Sequence, residues 1–361
     1  MARPRHGGDV WGDLDVRDYS SNVNPLGPPP RLAEYIANAA SELHCYPDDS
    51  CARLKEAIAS RYDVSADGVI VGAGSAELIR LFAEVFISPG DKVVMPCPTF
   101  AEYSFGCRLM GASVVDHTLP EDDGFALDVA ELSSQLDGAK AVYVCNPNNP
   151  TSRMTGKRDL LDLIEEAARK EVLVFLDETL LELSSRSEEL SLIPEVERLE
   201  NLFIIRSFTK SFAMPGLRIG YGFGSKEMLR FMEVGRLTWN LGTIEQRVAT
   251  MLMEDEQDHV SKAVRMLESE KRRMHSQVGR IMGKVSMPDS YFFFAPLDSL
   301  EISSSEFRRH MLRHNVLVRD CSSFGDACSR YTRFCVKTPE KDDEFLHALS
   351  SAVDDIREGR F

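Results

Sequence analysis

The chain has 361 residues, with 42 basic and 57 acidic side chains and a formal net charge of −15. This charge argues against nonspecific binding to nucleic acid or to an anionic membrane, because both require a broad positive field. No apolar run reaches about 18 residues and no apolar stretch follows the N-terminus, so neither a membrane span nor a secretory signal is predicted.

The first 30 residues are predicted to form an extended arm. They are rich in Gly, Pro, Asp and Asn and end in three successive prolines, Pro28 to Pro30. Consecutive prolines forbid a helix. A floppy terminus is one interpretation, but the Asn-Pro and Leu-Gly pairs before the prolines favour ordered turns. We therefore expect an ordered arm.

From about residue 50, short apolar runs alternate with amphipathic stretches. The predicted strands are 69–71, 92–95, 112–115, 141–145, 172–176, 202–205 and 218–221, and helices are predicted over 76–86, 101–110 and 159–170. Continuous apolar strands that alternate with helices indicate an α/β fold with a mainly parallel sheet covered on both faces. Ligands of such sheets bind at the carboxyl ends of the strands.

After Trp239 the pattern changes to α+β. A charged helical stretch with one break is predicted over 243–282, and it is followed by strands over 291–294, 316–319 and 331–336 and by helices over 305–313 and from Glu340. This pattern predicts a second, smaller domain. We divide the chain into an N-terminal arm with a first helix that packs with the small domain (1–45), a large domain (46–245) and a small C-terminal domain (246–361).

No metal site is predicted. His310 and His314 have helical i, i+4 spacing, but no third ligand follows in pattern, so a solvated helix face is the favoured interpretation. The eight cysteines include no C-x-x-C pair. Free thiols in a reducing cytoplasm are the expected state.

Four polar segments follow predicted strands. The first, Gly72-Ala-Gly-Ser-Ala-Glu77, joins a strand to a helix whose free N–H groups suit a phosphate, although such a turn can be purely structural. The second, Asn146-Pro-Asn-Asn-Pro-Thr151, is either a simple turn or a rigid holder of amide donors. The third is Asp177-Glu178, where a carboxylate either caps the next turn or pairs with a buried cation.

The fourth segment runs from Ser207 to Tyr221 and contains Lys210. Burial lowers the pKa of a lysine and makes its amine nucleophilic, as a Schiff-base lysine requires. Hydroxyls flank this lysine, and together with Arg218 they could hold a phosphate. This segment therefore predicts a reactive amine beside an anion site.

Together these segments resemble the fold-type I pyridoxal-phosphate (PLP) enzymes of the class I/II aminotransferase superfamily, over essentially the whole chain. The most specific part is the Ser-x-x-Lys…Gly-Leu-Arg-x-Gly-Tyr run, with the Asn-Pro-Asn-Asn-Pro-Thr turn and Asp177 in their expected order. The resemblance implies PLP as the cofactor and the PLP-dependent transferase fold, with a large domain and a smaller α+β domain.

The resemblance also implies roles for individual residues. Lys210 would be the catalytic lysine that binds PLP covalently, and Asp177 would pair with the pyridine nitrogen. Asn149 would donate to the phenolic oxygen, and Phe100 would stack on the ring. The remaining cofactor contacts would be the phosphate ligands Ser75, Ala76, Ser207, Thr209 and Arg218, with Tyr46 reaching the phosphate of a neighbouring subunit. The last contact implies a homodimer with shared active sites.

Two positions depart from the family pattern. Leu180 stands where the family usually has a tyrosine that bonds to the phenolic oxygen, and Ser152 stands where Asn-Pro-Thr-Gly has its glycine. Both changes could alter the electronics or the loop shape without abolishing cofactor binding.

The N-terminal arm, with His6-Gly-Gly-Asp9 and Asn24, and the segment from Val318 to Arg333 resemble threonine-phosphate decarboxylases of cobalamin biosynthesis. Histidinol-phosphate aminotransferases are the next most similar group, and a non-catalytic ligand-binding regulator is a third hypothesis. The first resemblance implies a small phosphorylated amino-acid substrate. Its contacts would be His6, Gly7, Gly8, Asn24, Asn149, Arg319 and Arg333. The alternatives are a disordered terminus for His6 and a surface ion pair with Asp320 for Arg319.

Overall fold

A computed structural model describes residues 3, 4, 6–8 and 15–360 of the chain, so Asp9 of the predicted arm lies outside the described residues. The strands are β1 Arg17–Asp18, β2 Val69–Gly72, β3 Lys92–Cys97, β4 Ser113–Thr118, β5 Ala139–Cys145, β6 Leu173–Asp177, β7 Leu202–Ser207, β8 Gly220–Gly224, β9 Phe292–Pro296, β10 Val316–Leu317, β11 Arg319–Asp320 and β12 Tyr331–Cys335. The α-helices are α1 Leu32–Ala40, α2 Ala52–Tyr62, α3 Ser75–Phe86, α4 Ala101–Leu109, α5 Val129–Ser134, α6 Lys157–Arg169, α7 Ser187–Leu190, α8 Phe208–Ser211, α9 Lys226–Gly235, α10 Thr243–Asp255, α11 Gln257–Met282, α12 Ser304–Arg313 and α13 Pro339–Arg357. No helix in this described part is both long and apolar enough to cross a bilayer.

The central sheet has seven strands in the order β2-β8-β7-β6-β5-β3-β4. Only β8 runs antiparallel to its neighbours, and the other pairs are parallel. A parallel pair needs a long crossover, whereas β7 and β8 are joined by a short segment that contains only the four-residue α8. The predicted mainly parallel α/β sheet is confirmed.

Both faces of the sheet are covered, because successive side chains of a strand point to opposite faces. On β6, Phe175 packs on one face with Phe82 of α3, their ring centroids 5.2 Å apart. Val174 and Leu176 belong to the core on the other face, together with Leu163 of α6. This double burial is the physical reason why these strands are continuous apolar runs.

The C-terminal part forms a separate antiparallel sheet, β11-β12-β9. The arm joins this part, since β1 pairs in parallel with β10 and the Tyr19 ring lies 4.5 Å from that of Phe345 in α13. Helix α1 packs against α10. The domain boundaries at residues 45 and 245 stay predictions.

The structure corrects some local predictions and locates the break that was expected in the long helical stretch. The strand expected over 316–319 is two short strands, because β10 pairs with the arm and β11 pairs with β12. The break expected within 243–282 occurs at Glu256, between α10 and α11. The solvated face expected for the histidine pair is wrong for His310, which is 7% exposed, while His314 Nε2 lies 2.9 Å from Asp355 Oδ2.

Candidate active site

The four polar segments predicted from the sequence meet at one edge of the central sheet. Strands β2, β5, β6 and β7 run in the same direction, since β8 is antiparallel to both β2 and β7. Their carboxyl ends lead into the N-terminus of α3, the Asn146–Thr151 turn, Asp177 and the α8 turn that carries Lys210. The geometry is therefore that of a ligand site at the carboxyl edge of a parallel sheet.

Asp177 is a buried carboxylate at the end of β6, with 4% of its surface exposed. Tyr103 Oη donates to its Oδ2 over 2.6 Å, and the Thr179 backbone N–H donates to its Oδ1 over 2.8 Å. Burial raises the pKa of Asp177, and the two hydrogen bonds oppose that rise. Such a carboxylate is suited to a protonated ring nitrogen as its counterion. No motif in the sequence pointed to Tyr103.

Lys210 lies in the short helix α8, and two hydrogen bonds from Asn24 stabilise this turn. The Asn24 backbone N–H donates to the Lys210 carbonyl over 2.9 Å, and Asn24 Nδ2 donates to the Ser211 carbonyl over 2.8 Å. Burial, and after it the positive charge of Arg333, lowers the pKa of Lys210 to about 8. The amine is therefore neutral and nucleophilic in a larger fraction of molecules than an exposed lysine at the same pH. Asn24 also accepts hydrogen bonds from the backbone N–H groups of Leu26 and Gly27. Its predicted substrate contact stays a prediction.

The Arg218 guanidinium and the N-terminus of α3, at Ser75 and Ala76, together form a cationic cradle. A Cβ atom on Gly74 would lie 2.6 Å from Arg218 Nη2, and one on Gly220 would lie 2.4 Å from the Ser75 nitrogen. The glycines therefore let the Arg218 guanidinium and β8 approach the start of a twelve-residue helix. A helix N-terminus next to a guanidinium is a suitable environment for a phosphate.

The other predicted phosphate ligands line the start of α8. Ser207 is its N-cap, and the Ser207 Oγ accepts a hydrogen bond from the Thr209 backbone N–H over 3.2 Å. Both residues are buried. Arg218 lies in the turn before β8, with φ of 52°, so the strand predicted from residue 218 begins only at Gly220.

Two buried arginines lie side by side in the C-terminal sheet. Arg319 of β11 is directly opposite Arg333 of β12, and they are 7% and 5% exposed. Arg333 donates to Asn149 Oδ1 and to the Ser20 carbonyl, and Arg319 donates to Ser323 Oγ over 2.7 Å. Burial lowers the pKa of both guanidinium groups, that of Arg319 to about 10. The surface ion pair considered for Arg319 is wrong, because this side chain is buried.

This arginine pair favours an anionic ligand. Like charges directly opposite each other in a sheet are destabilising, and the Arg333 Nε has no hydrogen-bond partner among the described residues. Buried charges are normally paired. An anion between the two guanidinium groups would relieve both costs.

Residues 6–8 of the arm lie beside Phe100 and Ser20. The His6 ring centroid is 5.5 Å from that of Phe100, and His6 Nε2 is 2.7 Å from Glu102 Oε1. The Gly8 N–H donates to Ser20 Oγ over 2.8 Å. A Cβ atom on Gly7 would lie 2.7 Å from the same Ser20 carbonyl that accepts from Arg333. The structure therefore brings the start of the arm to the arginine pair.

Tyr46 is a predicted cofactor ligand whose side chain is largely exposed to solvent. It is 78% exposed and stacks on Trp239 with ring centroids 4.4 Å apart. Val234 and Leu237 are also exposed, at 86% and 72%. Tyr46 thus lies on the surface together with other exposed apolar side chains.

The two departures from the family pattern are both buried. Leu180 is 4% exposed and belongs to the main core. Ser152 has φ of 64°, in the left-handed region that favours glycine, and its Oγ accepts a hydrogen bond from the Ser290 N–H over 3.1 Å. The loop therefore keeps a glycine-like backbone although the residue is serine.

The chain is similar to known proteins along nearly its whole length. A protein of Caldanaerobacter subterraneus subsp. tengcongensis, provisionally named threonine-phosphate decarboxylase, is 31% identical over 345 residues, covering 95% of this chain and 92% of that protein. The histidinol-phosphate aminotransferase of Symbiobacterium thermophilum is 32% identical over 351 residues, covering 96% and 93% of the two chains. The crystal structure of the histidinol-phosphate aminotransferase from Clostridium acetobutylicum has a TM-score of 0.87 at 28% identity, covering 94% of this chain and 100% of that chain.

The family described as aminotransferase class I and II matches residues 15–349 through its sequence profile. That match spans the arm from residue 15, the central sheet and both arginines of the C-terminal sheet. The chain therefore belongs to the class I and II aminotransferase family, whose members are PLP-dependent enzymes.

Proposed function

We propose that the protein decarboxylates L-threonine O-3-phosphate to (R)-1-amino-2-propanol O-2-phosphate and CO2, a reaction of cobalamin biosynthesis. The observation that carries this proposal is the buried pair Arg319 and Arg333 next to the arm and near Lys210. A substrate with both a carboxylate and a phosphate would supply one anionic group to each guanidinium. The provisional name of the relative from Caldanaerobacter also supports the proposal.

The residues at the sheet edge fit PLP as the family cofactor. Lys210 would bind it covalently, Asp177 would pair with its ring nitrogen, and Phe100 and Asn149 would contact the ring. The donors for its phosphate would be Ser75, Ala76, Ser207, Thr209 and Arg218. Bound PLP supplies an electron sink for the bond that breaks at the substrate Cα. The cationic cradle and the buried carboxylate support this assignment, because a phosphate and a protonated ring nitrogen need opposite charges.

Orientation of the substrate would decide which bond breaks. Arg333 would bind the substrate carboxylate through two parallel hydrogen bonds, and this contact would set which bond at Cα faces the electron sink that PLP supplies. With the bond to the carboxylate so placed, CO2 would leave and Cα would take up a proton. With the Cα–H bond so placed instead, Lys210 would take that proton and transamination would follow.

The substrate phosphate would lie beside Arg319 and the start of the arm. Its donors would be Arg319, His6, the backbone N–H groups of Gly7 and Gly8, and Asn24. His6 contacts Glu102 and the Gly8 N–H donates to Ser20 Oγ in the structure, so the phosphate would take the place of both acceptors. The close approach of Gly7 to the Ser20 carbonyl supports the assignment, because Arg333 donates to that same carbonyl.

Histidinol-phosphate aminotransferase is the second candidate. The relative from Symbiobacterium supports it at 32% identity. The two arginines also match the two carboxylates of a dicarboxylic amino donor such as glutamate. This donor would use the same pair of guanidinium groups without any decarboxylation.

A side-by-side assay separates the two candidates. The purified holoenzyme is given O-phospho-L-threonine alone, or histidinol phosphate with an oxo-acid acceptor. We expect CO2 release from the first substrate without any acceptor. Glutamate formation from the second mixture, with no CO2 from the first, would overturn the proposal in favour of the aminotransferase.

Three variants connect this assay to the site. Lys210→Ala should abolish turnover while the far-ultraviolet circular dichroism stays unchanged. Arg319→Gln should raise KM for O-phospho-L-threonine about tenfold to 100-fold, since a charge-assisted hydrogen bond is worth about 1.5–3 kcal/mol. The matched control is Arg330→Gln, because Arg330 is 53% exposed and pairs with Glu121 on the surface. Equal KM values for the two glutamine variants would contradict the assigned phosphate site.

We also propose a homodimer and a cytoplasmic location. The exposed, stacked rings of Tyr46 and Trp239, together with the exposed Val234 and Leu237, support the dimer, because large exposed apolar side chains often mark a surface that contacts a partner. In that dimer Tyr46 would reach the cofactor phosphate of the second copy. The cytoplasmic location rests on the cysteine composition, and cell fractionation tests it.

A further inference from the structure

Tyr103 is a buried tyrosine that touches both residues expected to flank the cofactor ring. Its Oη donates to Asp177 Oδ2 over 2.6 Å, and its ring lies edge-on to that of Phe100 with centroids 5.5 Å apart. Its exposed fraction is 1%. Tyr143 and Phe175 pack against the same ring, with centroids 5.6 and 5.9 Å away. The hydroxyl is therefore held in place by aromatic packing, and Tyr103 joins α4 to the end of β6.

The hydroxyl stabilises the charged form of Asp177. An O–H group that donates to a carboxylate favours its ionised state, whereas burial favours the protonated state. Burial, followed by the charge of Asp177, raises the pKa of Tyr103 well above its usual value, so that the hydroxyl keeps its proton and stays a donor. Tyr103 thus offsets part of the cost of burying this carboxylate.

We propose that Tyr103 is a positioning residue that keeps Asp177 ionised and directed at the ring nitrogen of the cofactor. The consequence is that the proton shared between the carboxylate and the ring nitrogen stays on the nitrogen, which makes the ring a better electron sink. The inference rests on the proposed pairing of Asp177 with PLP. It does not depend on the choice between decarboxylation and transamination, because both reactions use the same ring nitrogen.

The test compares Tyr103→Phe with Tyr143→Phe in the holoenzyme. Both substitutions remove one buried hydroxyl from the same aromatic cluster, but only Tyr103 bonds to Asp177. The readout is the nitrogen-15 chemical shift of the ring nitrogen in labelled PLP. We expect Tyr103→Phe to shift the signal towards the unprotonated form and to lower kcat about tenfold to 100-fold. Tyr143→Phe should leave the shift of the ring nitrogen unchanged.

The apo-protein provides a second readout that needs no cofactor. The folded-state pKa of Asp177 is raised, so its ionisation destabilises the fold as the pH rises through that pKa. Loss of the Tyr103 hydrogen bond raises that pKa further. Tyr103→Phe should therefore lower the free energy of unfolding more at mildly alkaline pH than at acidic pH. A merely structural role would give the same loss at both.

A double-mutant cycle with Asp177→Asn completes the test. If Tyr103 acts through the carboxylate, Tyr103→Phe has little further effect on kcat in the Asp177→Asn background. Additive losses in the cycle, or a ring-nitrogen signal that Tyr103→Phe does not move, would overturn the inference. The assay of the two substrates tests the proposed function separately.

Discussion

Glu178 and Arg206, the sequence neighbours of Asp177 and Ser207, form an ion pair, and their side chains are only 1% and 2% exposed. Arg206 donates to Glu178 Oε2 through Nη2 over 2.7 Å and through Nε over 3.1 Å. The Leu192 N–H donates to Oε1 over 2.8 Å, and the Ser191 hydroxyl donates to Oε2 over 2.9 Å. Both carboxylate oxygens are therefore hydrogen-bonded in the protein interior.

Glu178→Gln keeps the shape of the side chain and removes its charge. The guanidinium of Arg206 then stays buried without its hydrogen-bonded counterion, and breaking such a pair costs about 3–5 kcal/mol of folding free energy. We expect a loss of this size in urea unfolding of the apo-protein, followed by circular dichroism. We also expect weaker PLP binding, because Glu178 follows Asp177 and Arg206 precedes Ser207.

Two controls separate the loss of a buried ion pair from the loss of a charge alone. Glu189→Gln removes an exposed charge that pairs with Arg186 on the surface, and it should cause no measurable loss. The double variant Glu178→Leu with Arg206→Met should recover most of the stability, because well-packed apolar side chains can replace a buried ion pair. A loss below about 1 kcal/mol for Glu178→Gln would refute the reasoning, since it would match a solvated pair.

Three further predictions concern the site and its surface. Burial and then the charge of Arg333 lower the pKa of Lys210 to about 8, and PLP uptake by the apo-protein requires the neutral amine. Arg333→Gln removes that charge, so the pH midpoint for PLP uptake should be higher in the variant than in the wild type. An unchanged midpoint would contradict this coupling. Ser152→Ala should lower the free energy of unfolding by about 1 kcal/mol more than Ser152→Gly. Both variants lose the hydrogen bond from the Ser290 N–H, but only alanine keeps the strain of the left-handed backbone. Equal losses in urea unfolding would exclude that strain. Analytical ultracentrifugation should show a dimer for both the wild type and Tyr46→Phe. PLP binding should be weaker in the variant. A wild-type monomer would rule out a shared site.

The central strands were predictable because each is buried on both faces. The run Val172 to Leu176 is apolar throughout, and β6 occupies the middle of the sheet as Leu173–Asp177. The direction of β8 was not predictable in the same way, because it depends on the short connection after β7 and not on hydrophobicity. The antiparallel strand nevertheless brings Gly220 against Ser75 and so completes the cationic cradle.

The contacts of the site were likewise only partly predictable from the sequence. The sequence pointed to Asp177 and Lys210, because each ends or follows an apolar strand. It did not point to Tyr103, which lies 74 residues before Asp177 on a helix, or to the carboxylate of Glu102 beside His6. Arg319 and Arg333 were candidates as single residues, but their position opposite each other is a property of the β11–β12 register.

The motifs and their order along the chain therefore carried the resemblance to the family, and that resemblance implied the cofactor and the candidate residues, because such motifs are local properties of a sequence. Tertiary structure alone decided which charges become neighbours. The arginine pair, the hydroxyl on Asp177 and the buried partner of Arg206 all arise where separate elements meet. The energies of these contacts depend on desolvation and on distances of a few ångströms between atoms. Both the desolvation and the distances exist only in the folded chain.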